Sequence, residues 1–68
     1  MTDRQTHLIR SIGQRFKDNN LTDVVIMLNE STITFITNKT AEVKALMDDY
    51  HESVTLGAED NDTLTYNF

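Results

Sequence analysis

Two apolar periodicities alternate along this chain, one typical of helices and one typical of strands. Residues 3–18 predict an amphipathic helix, because their apolar positions fall within an arc of ~100° at helical pitch: Leu8, Ile9, Ile12 and Phe16. Residues 38–52 predict a second helix, because their apolar positions recur at the i, i+3, i+4, i+7 spacing: Val43, Leu46, Met47 and Tyr50. Each helix therefore has one apolar side to bury.

Two hairpins are predicted in the remaining segments, which are rich in Val, Ile, Thr and Phe. The first pairs Asp23–Leu28 with Thr32–Thr37 across the turn Asn29–Ser31. The second pairs Ser53–Leu56 with Thr63–Phe68 across the loop GAEDND. The sequence thus predicts an α+β fold of order α-β-β-α-β-β, a four-stranded antiparallel sheet with two helices packed on one face. We expect residues 1–68 to form a single small domain.

The pattern also predicts helix caps and a strand order. Thr2 and Gln5 have the spacing of a capping box for the first helix, and Asn38 or Thr40 can cap the second. The strand order 2-1-3-4 keeps all neighbours antiparallel and places the first strand, apolar from Val24 to Leu28, in the middle. The predicted core contains Leu8, Ile9, Ile12, Phe16, Val24, Ile26, Leu28, Ile33, Phe35, Val43, Leu46, Met47, Tyr50, Val54, Leu56, Leu64 and Tyr66.

The first strand poses the main functional question, because it is apolar on both of its faces. If its even-numbered residues face the helices, Val25 and Met27 face away, as does Ile36 beside Thr34 on the next strand. The other outward positions are small and uncharged: Thr32, Ser53, Thr55, Thr63, Thr65 and Asn67.

An uncharged sheet face with an apolar centre predicts a protein interface at Val25, Met27, Ile36 and Thr34. The simplest partner is a second copy, which gives a homodimer, and the less simple partner is a different protein. The alternative is ordinary exposure, since isolated apolar residues are common on protein surfaces.

Composition narrows the functional classes. The chain has 68 residues, no cysteine and a formal net charge of −5. The lack of cysteine excludes disulfides, thiolate zinc sites and thiol catalysis, and it fits a reducing compartment. The longest apolar run has five residues, whereas a membrane-spanning helix needs about 20. Since the first residues also do not resemble a signal peptide, we expect a cytoplasmic protein without a membrane partner.

Charge is unevenly distributed, which suggests two further surfaces. Residues 48–68 contain no lysine or arginine but six acidic residues: Asp48, Asp49, Glu52, Glu59, Asp60 and Asp62. These could contact a basic protein partner, or imitate DNA and block a DNA-binding protein, although most acidic runs are simply solvated. The first helix is basic and offers nucleic-acid binding as an alternative function. Its cations are Arg4, Arg10, Arg15 and Lys17. They lie on both sides of the apolar arc and form no single ridge, so we do not expect nucleic acid as the partner.

Few residues suggest a metal site or a catalytic site. Asp48, His51 and Glu52 could ligate a metal, but their spacing matches no known signature and fits the solvated end of a helix. The EDND segment, Glu59 to Asp62, lacks the glycine and the bidentate glutamate of a calcium loop. We expect no catalytic residues, no metal and no cofactor. The sequence therefore predicts a non-enzymatic protein-binding regulator or inhibitor, of the small accessory type that bacteria and phages encode.

Overall fold

The structure is a computed structural model that describes residues 3–68. Its elements, in chain order, are α1 (Asp3–Asp18), β1 (Val25–Leu28), β2 (Thr32–Ile36), α2 (Thr40–Met47) with a 3-10 turn (Asp48–Tyr50), β3 (Thr55–Glu59) and β4 (Thr63–Asn67). The four strands form one sheet in which every neighbouring pair is antiparallel. The predicted α+β class and the order α-β-β-α-β-β are confirmed. Within residues 3–68, no helix is long and apolar enough to cross a membrane.

Helix α1 ends where Asn20 adopts a left-handed conformation with φ of 61°. Asparagine tolerates this conformation at helix ends. The amide of Leu21 then donates to the carbonyl of Phe16 at 2.8 Å, and the Leu21 side chain becomes buried. The capping box predicted at the start of α1 involves Thr2, which lies outside the described residues. Its partner Gln5 donates a side-chain hydrogen bond to the carbonyl of Glu30.

Helix α2 is shorter than predicted and begins differently. Lys39 occupies the N-cap position without a side-chain cap bond, so the caps expected at Asn38 or Thr40 are wrong. The buried Thr37 hydroxyl instead accepts the amide hydrogen bond of Lys39 at 3.0 Å. The α-helix ends at Met47, and the chain continues as a 3-10 turn. This ending keeps two aspartates out of the last α-helical turn, where the helix dipole disfavours them.

The core lies between the two helices and one face of the sheet. Phe35 is at its centre, with ring centroids 5.2 Å from Phe16 and 5.9 Å from Tyr66. The buried residues form one cluster that joins both helices to the two middle strands: Ile12, Phe16, Leu21, Ile33, Phe35, Val43, Leu46, Met47, Val54, Leu64 and Tyr66. Both helices therefore cover the same face, as predicted.

The expected strand order 2-1-3-4 is wrong, because the sheet runs β1-β2-β4-β3. Both orders keep every neighbouring pair antiparallel, so chain direction does not choose between them. The observed order places the bulky Phe35 and Tyr66 where both helices cover them. It also moves β1 to an edge, where Ile26 and Leu28 are 38% and 39% exposed instead of buried in the core.

Strand β3 forms the other edge and begins later than predicted. It extends to Glu59 through residues expected in the loop, and Leu56, expected in the core, is exposed. A register shift between Leu56 and Ala58 marks a β-bulge at Gly57. A Cβ at Gly57 would collide with the side-chain amide of Asn67, so glycine permits this close approach.

Candidate functional site

The pairing register decides which residues face away from the helices. Val25 lies opposite Ile36, and Met27 lies opposite Thr34. Opposed residues of an antiparallel pair share a face. Since Phe35, between Thr34 and Ile36, faces the helices, these four side chains lie on the other side of the sheet. We call that side the open face, and it also includes Thr32, Thr55, Ala58, Thr63, Thr65 and Asn67.

An apolar patch lies on the open face of β1 and β2. It consists of Val25 and Met27, each 56% exposed, and Ile36, 37% exposed. Beside it, the hydroxyls of Thr34 and Thr65 are 3.3 Å apart and bond each other. No residue of the open face carries a charge. Ser53, expected on this face, instead precedes β3 and bonds through its amide to Tyr50.

Within residues 3–68, no strand pairs with the outer edge of β1. The amide of Asn29 donates to the carbonyl of Thr32 at 2.9 Å. In an antiparallel ladder, hydrogen-bonded and non-bonded pairs alternate. The backbone groups of Val25 and Met27 therefore point to β2, whereas those of Ile26 and Leu28 point outward. β1 thus combines a free hydrogen-bonding edge with four exposed apolar side chains.

The position of β1 at an edge was not predicted, although the apolar run from Val24 to Leu28 is consistent with it. The unbroken apolar run was interpreted as a central strand covered on both faces. An apolar edge strand produces the same run when its partner lies in another molecule. The two cases differ in which strand occupies the middle of the sheet, and the local pattern does not determine this.

The two edge strands differ in how well they are protected from pairing with another chain. Strand β3 has a bulge, and its Glu59 accepts hydrogen bonds from the Lys44 ammonium at 3.0 and 3.1 Å. Bulges and charges are the usual devices that prevent edge strands from pairing with other chains. Strand β1 pairs with β2 without a register shift, and its residues are uncharged. It is therefore the unprotected edge of this sheet.

The six acidic residues come from two segments of the chain. Asp48, Asp49 and Glu52 lie before β3, whereas Glu59 is the last residue of β3, and Asp60 and Asp62 follow it. Asp49 is also paired with Arg15, and Glu59 with Lys44. Two of the six charges are thus balanced by the protein's own cations.

One of the basic residues of α1, Arg15, also has an acidic partner. Arg15 forms an ion pair with Asp49, and its guanidinium lies 5.7 Å from the centroid of the Tyr50 ring. The hydrogen bond with Asp49 raises the pKa of Arg15 above its ordinary value. The Ser11 hydroxyl bonds the Tyr50 hydroxyl at 2.8 Å. Arg15 therefore links α1 to the 3-10 turn, while Arg4, Arg10 and Lys17 are exposed.

The candidate metal residues are close in sequence but do not converge. His51 Nδ1 lies 2.8 Å from the carbonyl oxygen of Asp48. In the part of the chain that the structure describes, no group of three or more His, Asp or Glu residues is placed to hold a metal ion.

Comparisons of the chain with protein-family models, with curated proteins and with solved structures find no match.

Proposed function

We propose that this protein is a non-enzymatic regulator or inhibitor that binds another protein through the apolar patch of Val25, Met27 and Ile36, with Thr34 at its border. The observation that carries this proposal is the exposure of the patch on an uncharged face, beside an unprotected edge strand. Interface cores are depleted in charged residues and enriched in methionine. Such a protein acts by occupying a surface of its partner. We place it in the cytoplasm, as an accessory protein of bacterial or phage type.

Binding through charge has weaker support on either side of the molecule. Of the six acidic residues, Asp49 and Glu59 already have cationic partners. On α1, Arg15 is engaged by Asp49. A net charge of −5 opposes association with nucleic acid at long range. The open face avoids both problems, because its contacts depend on apolar area rather than on charge.

Affinity capture with matched variants tests the proposal. Tagged wild-type protein, Met27→Lys and Thr55→Lys are used as baits in a lysate of the cells that make the protein. Met27→Lys places a charge in the apolar patch, whereas Thr55→Lys places the same charge on the open face at the opposite edge of the sheet. Circular dichroism verifies that all three baits are folded.

The expected result is a protein captured by the wild type and by Thr55→Lys but lost with Met27→Lys. Capture of the same proteins by all three baits would refute the patch as the binding surface. So would the absence of any captured protein.

Nucleic-acid binding is tested separately with random-sequence duplex DNA. We expect no binding at physiological salt. Binding that weakens steeply with salt and is lost in Arg10→Ala with Lys17→Ala would favour the alternative function, since phosphate contacts release counterions.

A further inference from the structure

The geometry points to a specific occupant for the free edge of β1: the β1 strand of a second copy of this chain, paired antiparallel with Ile26 on the two-fold axis. This inference goes beyond the proposed function, because it concerns the edge of β1 and not the patch on the open face. Pairing of this kind joins two four-stranded sheets into one continuous sheet of two copies.

The backbone of β1 is self-complementary in this register. The groups that point outward belong to alternate residues, Ile26 and Leu28. Val24 precedes the strand at the next alternate position. With Ile26 on the axis, Ile26 meets Ile26 of the second copy, and Val24 meets Leu28. Each such pair exchanges two hydrogen bonds. All outward groups of the strand are then satisfied.

The side chains select the same register. Centring on Ile26 places Val25 opposite Met27 of the second copy, so all five residues from Val24 to Leu28 face apolar residues. Centring on Met27 would place Val24 opposite Glu30. Centring on Leu28 would place Ile26 opposite Glu30. Both alternatives lose apolar contacts and approach a carboxylate.

Helix α1 leaves room for the second copy. Ser11 and Arg15 contact the 3-10 turn, so this flank of α1 faces away from β1. The opposite flank carries the half-buried Ile9 and Gly13, and the space where a Gly13 side chain would lie is open. Pairing of the two edges brings these flanks of α1 towards each other.

The contact between the copies is small, because each contributes one four-residue edge strand. Specific interfaces of standard size bury about 1,200–2,000 Å², and smaller ones belong to weak or transient complexes. We therefore expect dissociation constants of about 1–100 μM.

Single-cysteine variants test both the pairing and the register, because the chain contains no cysteine of its own. In Ile26→Cys the two cysteines face each other on the axis with Cα atoms about 5.5 Å apart, within the disulfide range. Leu28→Cys is the matched control: it lies on the same side of the strand and is 39% exposed, against 38% for Ile26. In the dimer its Cα lies roughly 14 Å from its counterpart.

Under mild oxidation at about 100 μM, Ile26→Cys should form disulfide-linked dimers at least about tenfold faster than Leu28→Cys on non-reducing gels, a contrast that geometry rather than exposure produces. Equal rates for the two variants would overturn the pairing, because random collision treats them alike. Faster crosslinking of Leu28→Cys or Met27→Cys would overturn the register. Circular dichroism of each reduced variant verifies the fold.

Sedimentation of the wild-type protein separates this inference from the proposed function. We expect a mass that rises from 7.8 kDa towards twice that value as concentration increases. A monomer throughout, up to about 500 μM, would overturn the dimer. A separate protein captured by the wild type and lost with Met27→Lys would then still support the proposed function. Conversely, efficient Ile26→Cys crosslinking with no captured protein would support the dimer and refute binding to a different protein.

Discussion

Truncating one isoleucine on each of two adjacent strands tests the position of β1 in the sheet. Ile33 on β2 is 0% exposed, Ile26 on β1 is 38% exposed, and both face the helices. Ile33→Ala and Ile26→Ala remove the same three carbon atoms. The difference between their costs in unfolding free energy therefore reports the burial of the two strands.

The expected costs follow from burial and cavity formation. Three fully buried carbons contribute about 2.4 kcal/mol, at about 0.8 kcal/mol each. At Ile33 the cavity left behind raises the cost to about 3–4 kcal/mol. At Ile26 the exposed fraction reduces the cost to about 1.5 kcal/mol, and a site open to water leaves no cavity. Since 1 kcal/mol shifts the melting temperature of a domain this size by about 4–8 °C, the two variants are easily distinguished.

Urea unfolding followed by circular dichroism measures both costs, with the free energy obtained by linear extrapolation. Measurement at about 1 μM keeps the wild-type protein at or below the dissociation constant expected for the second copy. An equal cost for Ile26→Ala and Ile33→Ala would refute the edge position of β1. A larger cost for Ile26→Ala than for Ile33→Ala would restore the order 2-1-3-4, in which β1 is central and β2 is an edge.

Three further predictions concern electrostatics and metals. A double-mutant cycle with Lys44→Gln and Glu59→Gln should give a coupling of about 0.2–1 kcal/mol that shrinks in high salt, as is usual for exposed pairs, and zero coupling at low salt would contradict the ion pair. Burial raises the pKa of Tyr66, so in Tyr50→Phe the remaining tyrosine should ionise at higher pH when folded than in urea, as measured at 295 nm. Stability should correspondingly fall as pH rises from about 10 through the raised pKa, because the unfolded chain loses this proton first; equal ionisation midpoints would contradict this. EDTA should leave the melting temperature unchanged, whereas a decrease reversed by zinc would support a site at Asp48, His51 and Glu52.

The direction of most side chains was predictable from the sequence. The two-residue period placed Ile33 and Phe35 towards the helices and Ile36 on the opposite side, and the structure agrees. The helical period similarly identified Ile12 and Phe16 as core residues. These assignments succeed because they depend only on local geometry.

The neighbours of each strand were not predictable in the same way. Whether the second hairpin joins the sheet beside β1 or beside β2 depends on contacts between residues far apart in sequence, such as Ile33 with Tyr66. The expected core positions Ile26, Leu28 and Leu56 failed for this reason, since each lies on an edge strand. The face on which a side chain lies depends on its own strand, whereas its burial depends on where that strand lies in the sheet.

Two buried residues were missed because they lie in connections. Leu21 is buried by the turn that follows the left-handed Asn20. Thr37 is buried where its amide donates to the Asp62 carbonyl and its hydroxyl accepts from Lys39. Neither belongs to a periodic pattern, so hydrophobic periodicity carries no signal for them.

Amide hydrogen exchange along β1, measured by NMR at low and high protein concentration, tests the central claim most directly. At low concentration the amides of Val25 and Met27 should exchange slowly, because they point to β2, while those of Ile26 and Leu28 should exchange quickly from the free edge. At high concentration the amides of Ile26 and Leu28 should become protected as the second copy binds. Protection of Ile26 at low concentration, or its rapid exchange at all concentrations, would contradict an open edge that another strand completes.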